Sequence, residues 1–159
     1  MKIKLITLGK LKETYLKDGI GEYVKRMSRF CDTEIIELND EKIPDNPSQS
    51  EEKAVLAKEA ERIKKHIGQK DYVISLCVEG KQLTSEKLAA KMSDISLSGY
   101  STVDFIIGGS LGLDPEIKQL SHLKLSFSKF TVPHQLMRLI LTEQLYRAFK
   151  INNNETYHK

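Results

Sequence analysis

Three stretches of this 159-residue sequence gather small, polar, backbone-exposing residues at the point where an apolar run stops. They are Leu76-Cys77-Val78-Glu79-Gly80-Lys81, Ile107-Gly108-Gly109-Ser110-Leu111-Gly112, and Ser126-Phe127-Ser128-Lys129-Phe130-Thr131-Val132-Pro133-His134. Glycine at such a place permits positive φ and lets a ligand touch the main chain. A lone Gly-Gly is more often a tight turn. Three such stretches in succession read as one pocket lined by amides and carbonyls, suited to an adenine and a ribose. Downstream, His134 and Arg138 stand one helical turn apart, as do Glu143 and Arg147, and each pair alone reads better as a solvated ion-pair face. Gln144, Tyr146 and Arg147 beside a basic end suggest a surface committed to a partner. The chain finishes Tyr157-His158-Lys159, a ring, an imidazole and a cation that matter chemically only if the tail is ordered over a site.

Several chemistries lack their residues. The first apolar run ends Leu8-Gly9-Lys10 without a G-x-G-x-x-G, so an ordinary dinucleotide fold is unsupported. No acidic pair follows it to hold magnesium. Gly80-Lys81 has no upstream glycine, which removes a phosphate loop. Cys31 and Cys77 have no neighbouring base and read as a helix-to-strand junction and a small hydrophobe inside a strand. His66 and His122 read as surface or core histidines, and no cluster with metal-ligand spacing occurs.

The elements that must position these residues follow from apolar periodicity. Strands are expected at 2–8, 33–38, 71–78, 102–107 and 122–127. Helices are expected at 15–30, from Ser48 to about 67, at 85–95, from Asp114-Pro115, and at 133–151. Ser48 and Glu51 make a capping box, while Asp114 and Pro115 suit the N-cap and first helical position. Residues 71–78 are almost continuously apolar, as in a strand covered on both faces. Met137, Leu141, Leu145 and Phe149 mark the inner face of the last helix. Five strands alternating with helices give an α/β fold, a mainly parallel sheet with helices on both faces, as one domain over 1–159. Sites in such sheets lie beyond the carboxyl ends of the strands, where the three stretches stand.

Composition agrees with a globular chain: 40% hydrophobic and 30% charged residues. No run approaches the roughly 18 apolar residues of a membrane span, and the start lacks a signal-peptide core. Two isolated cysteines suit an intracellular, cytoplasmic protein with free thiols. Net charge is only +3, but residues 1–30 carry eight Lys/Arg against three Asp/Glu, residues 31–117 ten against seventeen, and residues 118–159 seven against two. If the two ends meet in space they form a basic face fit for phosphates; scattered, solvated lysines are the equal alternative.

The run Phe105-x-Ile107-Gly108-Gly109-x-x-Gly112, then Leu125-Ser126, then Thr131-x-Pro133-His134-x-Leu136-x-Arg138-x-x-Leu141-x-Glu143-Gln144-x-Tyr146-Arg147-Ala148, resembles the RlmH family. These are ribosomal RNA large-subunit methyltransferases of the SPOUT, or α/β-knot, superfamily. The resemblance spans the chain and departs at Cys77-Val78, where an acidic residue is expected in many relatives. It implies a C-terminal trefoil knot, an exception to the rule against threading. It implies a homodimer with S-adenosylmethionine sites by the subunit interface, and methylation of N3 of a pseudouridine in large-subunit ribosomal RNA on the assembled ribosome, with no metal, membrane or DNA involved. Carried across, Leu76, Gly108 and the loop of Phe127, Ser128, Lys129, Phe130, Thr131 and Val132 would hold the cofactor. His134, Arg138, Tyr157, His158 and Lys159 would face RNA or the partner subunit.

A sulfonium is a good leaving group, so the residues' task is alignment and removal of the imide proton. His158 is the candidate base, with His134 behind it, and Lys129, Arg138 and Lys159 would hold phosphates. Two other classes share the glycine-lined strand ends: a ribosome-binding protein with a vestigial pocket, and a small-molecule nucleotide enzyme.

Overall fold

The computed structural model describes all residues, Met1–Lys159. Its strands are β1 (Lys2–Leu8), β2 (Asp32–Leu38), β3 (Tyr72–Gln82), β4 (Thr102–Ile107) and β5 (Leu123–Ser126). The helices are α1 (Thr14–Met27), α2 (Gln49–Lys64), α3 (Ser85–Leu97), α4 (Pro115–Leu120) and α5 (His134–Asn152). The strands form one sheet in the order β2-β1-β4-β3-β5, and every pairing is parallel.

Side chains alternate across this sheet, so each strand feeds two cores. Ile3, Leu5, Phe105, Ile107 and Ile74 point to one face, where Met27 of α1, Leu88 and Met92 of α3, and Leu141 and Leu145 of α5 cover them. Ile6, Leu8, Ile106 and Val73 point to the other, under Ala60 and Ile63 of α2 and Ile117 of α4. The covered faces explain why β4 is buried along its length, with Val103, Asp104, Phe105 and Ile106 all at or near zero exposure. Asp104 is the exception in chemistry. Lys4 on the neighbouring strand reaches it at 3.1 Å, Asp71 at 2.6 Å and the carbonyl of His66 at 2.6 Å.

Local signals place the helices. Ser48 accepts from the Glu51 amide at 3.2 Å while Glu51 accepts from the Ser48 amide at 3.2 Å, the reciprocal box at the start of α2. Asp114 accepts from the Glu116 amide at 2.8 Å with Pro115 behind it. The helix of residues 15–30 stops at Met27 instead, where the amides of Phe30 and Cys31 both fold back on the Met27 carbonyl.

The main departure lies in β3, which runs past Val78 to Gln82. Leu125 of β5 pairs first with Leu76 and again with Lys81, so the intervening residues arch out of the sheet. A side chain at Gly80 would come within 2.7 Å of the Leu125 backbone, so only glycine lets the strand rejoin there. Cys77 therefore lies half-buried in the arch, not inside a regular strand, and Val78 is 53% exposed. His122 falls outside β5; its Nδ1 accepts from the Val73 amide at 3.0 Å and its ring stacks on Tyr72 at 4.6 Å.

Candidate functional site

The ends of β3, β4 and β5 and the lead-in to α5 enclose a cavity of about 630 Å³. That volume suits a small ligand. Its walls are the β3 arch (Leu76–Glu79), the turn after β4 (Gly108–Gly112) and the segment between β5 and α5. The site thus stands at the carboxyl edge of a parallel sheet, as the fold rule requires.

The turn after β4 is tight by necessity. The turn closes by the Gly112 amide on the Gly109 carbonyl at 3.0 Å, and Gly112 holds φ +81°. A Cβ on Gly108 would lie 2.4 Å from the Gly112 carbonyl oxygen. Behind Gly109 stands the carboxyl of Glu59, 3.8 Å from where a side chain would begin. Glu59 is buried, accepts from the Glu41 amide at 3.0 Å, and burial raises its pKa. After β5, Ser126 donates to the Ser128 carbonyl at 3.0 Å and Ser128 accepts from the Phe130 amide at 3.0 Å, which fixes the loop's bend. At the rim Lys118 and Glu79 form an ion pair that draws the Glu79 carboxyl below its usual range.

Leu76, Gly108, Phe127, Ser128, Phe130, Thr131 and Val132 all line this cavity; Lys129 points to solvent. His134 lines it too. Its Nδ1 is buried without a partner, and burial, aided by Arg138, lowers its pKa so that the ring is neutral at neutral pH.

Arg138 differs from expectation. It is 1% exposed and has no open face for a phosphate. One nitrogen donates to Glu37 at 2.8 Å, the other to the carbonyls of Leu8 and Gly9, both at 2.8 Å. It ties the first turn of α5 to the ends of β1 and β2, which positions the cavity wall.

The tail is ordered but lies elsewhere. Tyr157 donates to Glu143 at 3.1 Å, packs edge-on to Tyr146 at 4.8 Å, and lies under Arg147 at 4.7 Å. His158 meets Glu86 at 2.9 Å and Arg147 at 3.3 Å. The backbone amide of Glu86 itself, then His158, hold the Glu86 carboxyl at about 2. None of Tyr157, His158 or Lys159 lines the cavity of its own chain. The two basic segments do meet here, since Arg26 of α1 lies 5.9 Å from the Tyr146 ring of α5.

No group of three or more His, Cys, Asp or Glu is placed to hold a metal ion, and no helix is long and apolar enough to cross a membrane. Glu59 and the β3 arch escape a sequence reading. Glu59 is one glutamate among many on a charged helix, and the arch has the composition of an ordinary strand end.

The family described as "Predicted SPOUT methyltransferase" matches residues 1–158. A protein of Leuconostoc citreum (strain KM20), named "Ribosomal RNA large subunit methyltransferase H", is 61% identical over 159 residues, the whole of both chains. One of the same name from Streptococcus equi subsp. zooepidemicus (strain MGCS10565) is 58% identical over the same span. Among solved structures, a "probable methylase family protein" from Haemophilus influenzae Rd KW20 superposes with a TM-score of 0.52 at 16% identity, over 99% of this chain and 70% of that one. A "Probable Methyltransferase" from Bordetella pertussis Tohama I gives 0.52 at 11%, over 92% and 95%. At those identities the likeness concerns the fold.

Proposed function

Because this chain belongs to the ribosomal RNA large subunit methyltransferase H family of SPOUT methyltransferases, we propose that it methylates N3 of pseudouridine 1915 in 23S ribosomal RNA, on the assembled ribosome, with S-adenosylmethionine as donor. The observation that carries the reading is the cavity of about 630 Å³ at the strand ends, with the glycine turn after β4 as one wall. At one wall Gly108 has no room for a side chain, so the turn after β4 presents main chain to the cavity. Leu76, Gly108, Phe127, Ser128, Phe130, Thr131 and Val132 would hold that donor, the β3 arch and the β5–α5 loop offering amides and carbonyls; Lys129 belongs to the loop but not to the wall.

When bound, the donor supplies an activated methyl on a sulfonium, and no metal enters the step. The residues here align and desolvate: a near-attack geometry is worth roughly 7–11 kcal/mol in well-ordered cases. The imide proton of the target base must leave as the N–C bond forms. We assign its removal to His158, with Tyr157 and Lys159 setting the base and its phosphate. These residues lie away from the cavity of their own chain, so the assignment requires a homodimer in which one protomer's tail serves its partner's cavity. Arg138 acts at one remove, by holding the α5 wall. The whole chain forms one domain on this reading, with the C-terminal segment knotted, and the protein works in the cytoplasm, where ribosomes are.

The test is transfer of labelled methyl from S-adenosylmethionine to ribosomes from cells lacking this protein, with naked ribosomal RNA in parallel. Label on one pseudouridine in ribosomes alone supports both reaction and substrate. Label on neither, with donor binding measured, would overturn the substrate.

A further inference from the structure

We propose that Lys10, Lys12 and Tyr15, with Lys129 and Phe130 across the cavity mouth, form the surface that grips RNA around the target nucleotide: lysines on phosphates, the two rings under unpaired bases. The inference rests on the reading of the chain as an RNA methyltransferase and adds residues to it.

Tyr15 is 67% exposed and Phe130 83% exposed, although both sit beside well-packed segments. Leu16 and Ile20 take the buried positions of α1, so Tyr15 contributes little to the core. Phe130 borders the cavity yet leaves most of its ring in solvent, while its backbone is pinned by Ser128 at 3.0 Å. An aromatic ring held out on a fixed backbone is a stacking platform, and single-stranded RNA is recognised by stacking with phosphate contacts alongside.

The lysines are placed by the same network that builds the cavity. The Leu11 amide donates to Glu37 at 2.8 Å and the Lys12 amide to Gln135 at 3.4 Å, while Arg138 holds the Gly9 carbonyl at 2.8 Å. The β1–α1 loop is thereby fixed against the first turn of α5, which begins where the Phe130 loop ends. Lys4, Lys118 and Lys150 are each committed to carboxylates. Lys10, Lys12 and Lys129 are exposed and enter no ion pair; of the carboxylates near the loop Glu37 is already engaged by Arg138, and Glu13 and Asp40 pair with none of the three lysines. A loop with its backbone fixed and its cations free loses little entropy on binding a polyanion.

The experiment compares wild type, Lys10→Ala/Lys12→Ala and Tyr15→Ala for methyl transfer to ribosomes, for S-adenosylmethionine affinity by calorimetry, and for mass by sedimentation. For the double variant the expected result is unchanged donor affinity and kcat, a ribosome KM raised roughly tenfold, and a log–log salt slope shallower by about 1.4, two single-strand phosphates at ~0.7 each. For Tyr15→Ala the KM should rise roughly fivefold or more. An unchanged KM and salt slope in the double variant would overturn the proposal while leaving the methyltransferase reading intact. So would a Tyr15→Ala protein of halved mass, which would make the ring a subunit contact. Failure of wild type to label ribosomes would instead remove the reading beneath it.

Discussion

The Arg138 guanidinium closes on the Leu8 carbonyl at 2.8 Å across 130 positions of sequence. With Gly9 and Glu37 as its other partners, this contact joins the last helix to the first two strands at the edge where the cavity opens. Arg138→Ala should therefore loosen the site without emptying it. The two abandoned carbonyls set the cost at about 1–3 kcal/mol, since Glu37 can turn to water. Urea unfolding should show that loss, and Arg138→Lys should recover only part of it because one ammonium cannot span three acceptors.

Glycine substitutions separate site from scaffold. Gly108→Ala should weaken S-adenosylmethionine binding by tenfold or more in calorimetry, because its Cβ would lie 2.4 Å from the Gly112 oxygen and the turn must open. Gly21→Ala, on an exposed stretch of α1 with nothing within 4 Å, should leave binding unchanged and raise stability by about 0.4–1 kcal/mol. Equal donor affinity for Gly108→Ala and wild type would remove the turn from the binding site.

The proposed tail exchange has its own test. His158→Ala should abolish most single-turnover methyl transfer while donor affinity stays within twofold, and His134→Ala should reduce transfer less. Mixing His158→Ala with Gly108→Ala protein should restore some activity, since one hybrid cavity then has both an intact wall and an intact tail. No recovery in the mixture, with hybrid formation verified, would place tail and cavity in the same chain.

Buried charge gives a pH signature. Burial raises the Asp104 pKa to about 7 against Lys4, which lowers it, so the folded state holds a proton there that the unfolded state releases near 4. Stability contributed by this group is present below about 4 and declines as pH rises to about 7. Glu22, Glu41 and Glu155 have lowered values and act oppositely, losing stability as pH falls through the acid range. The informative quantity is the difference between wild type and Asp104→Asn: it should change between pH 5 and 7.5 in urea unfolding, with the wild type losing ground at the higher pH.

Much of the frame was legible because its signals are local. Ser48 with Glu51, Asp114 with Pro115, and the apolar run at 102–107 each contain their own reason to be a helix start or a buried strand. The cavity was legible too, since its walls come from the three stretches of small and polar residues at the strand ends. Long-range partners were not. His134 and Arg138 read as a polar stripe because nothing near Arg138 in sequence announces the Leu8 and Gly9 carbonyls. Lys4 shows no sign of Asp71 or Asp104, and Gly80 has the character of a strand's end unless Leu125 is known to pair on both sides of it.

The arch in β3 has a fixed end behind the cavity and a replaceable part on its wall. Gly80 is dictated by the Leu125 backbone, but Cys77 and Val78 face the cavity without holding the sheet together. Enlarging or shrinking those two side chains would reshape donor selectivity at little cost to folding. They are natural positions for fitting the enzyme to a synthetic methyl donor with a bulkier group than the ordinary enzyme accepts.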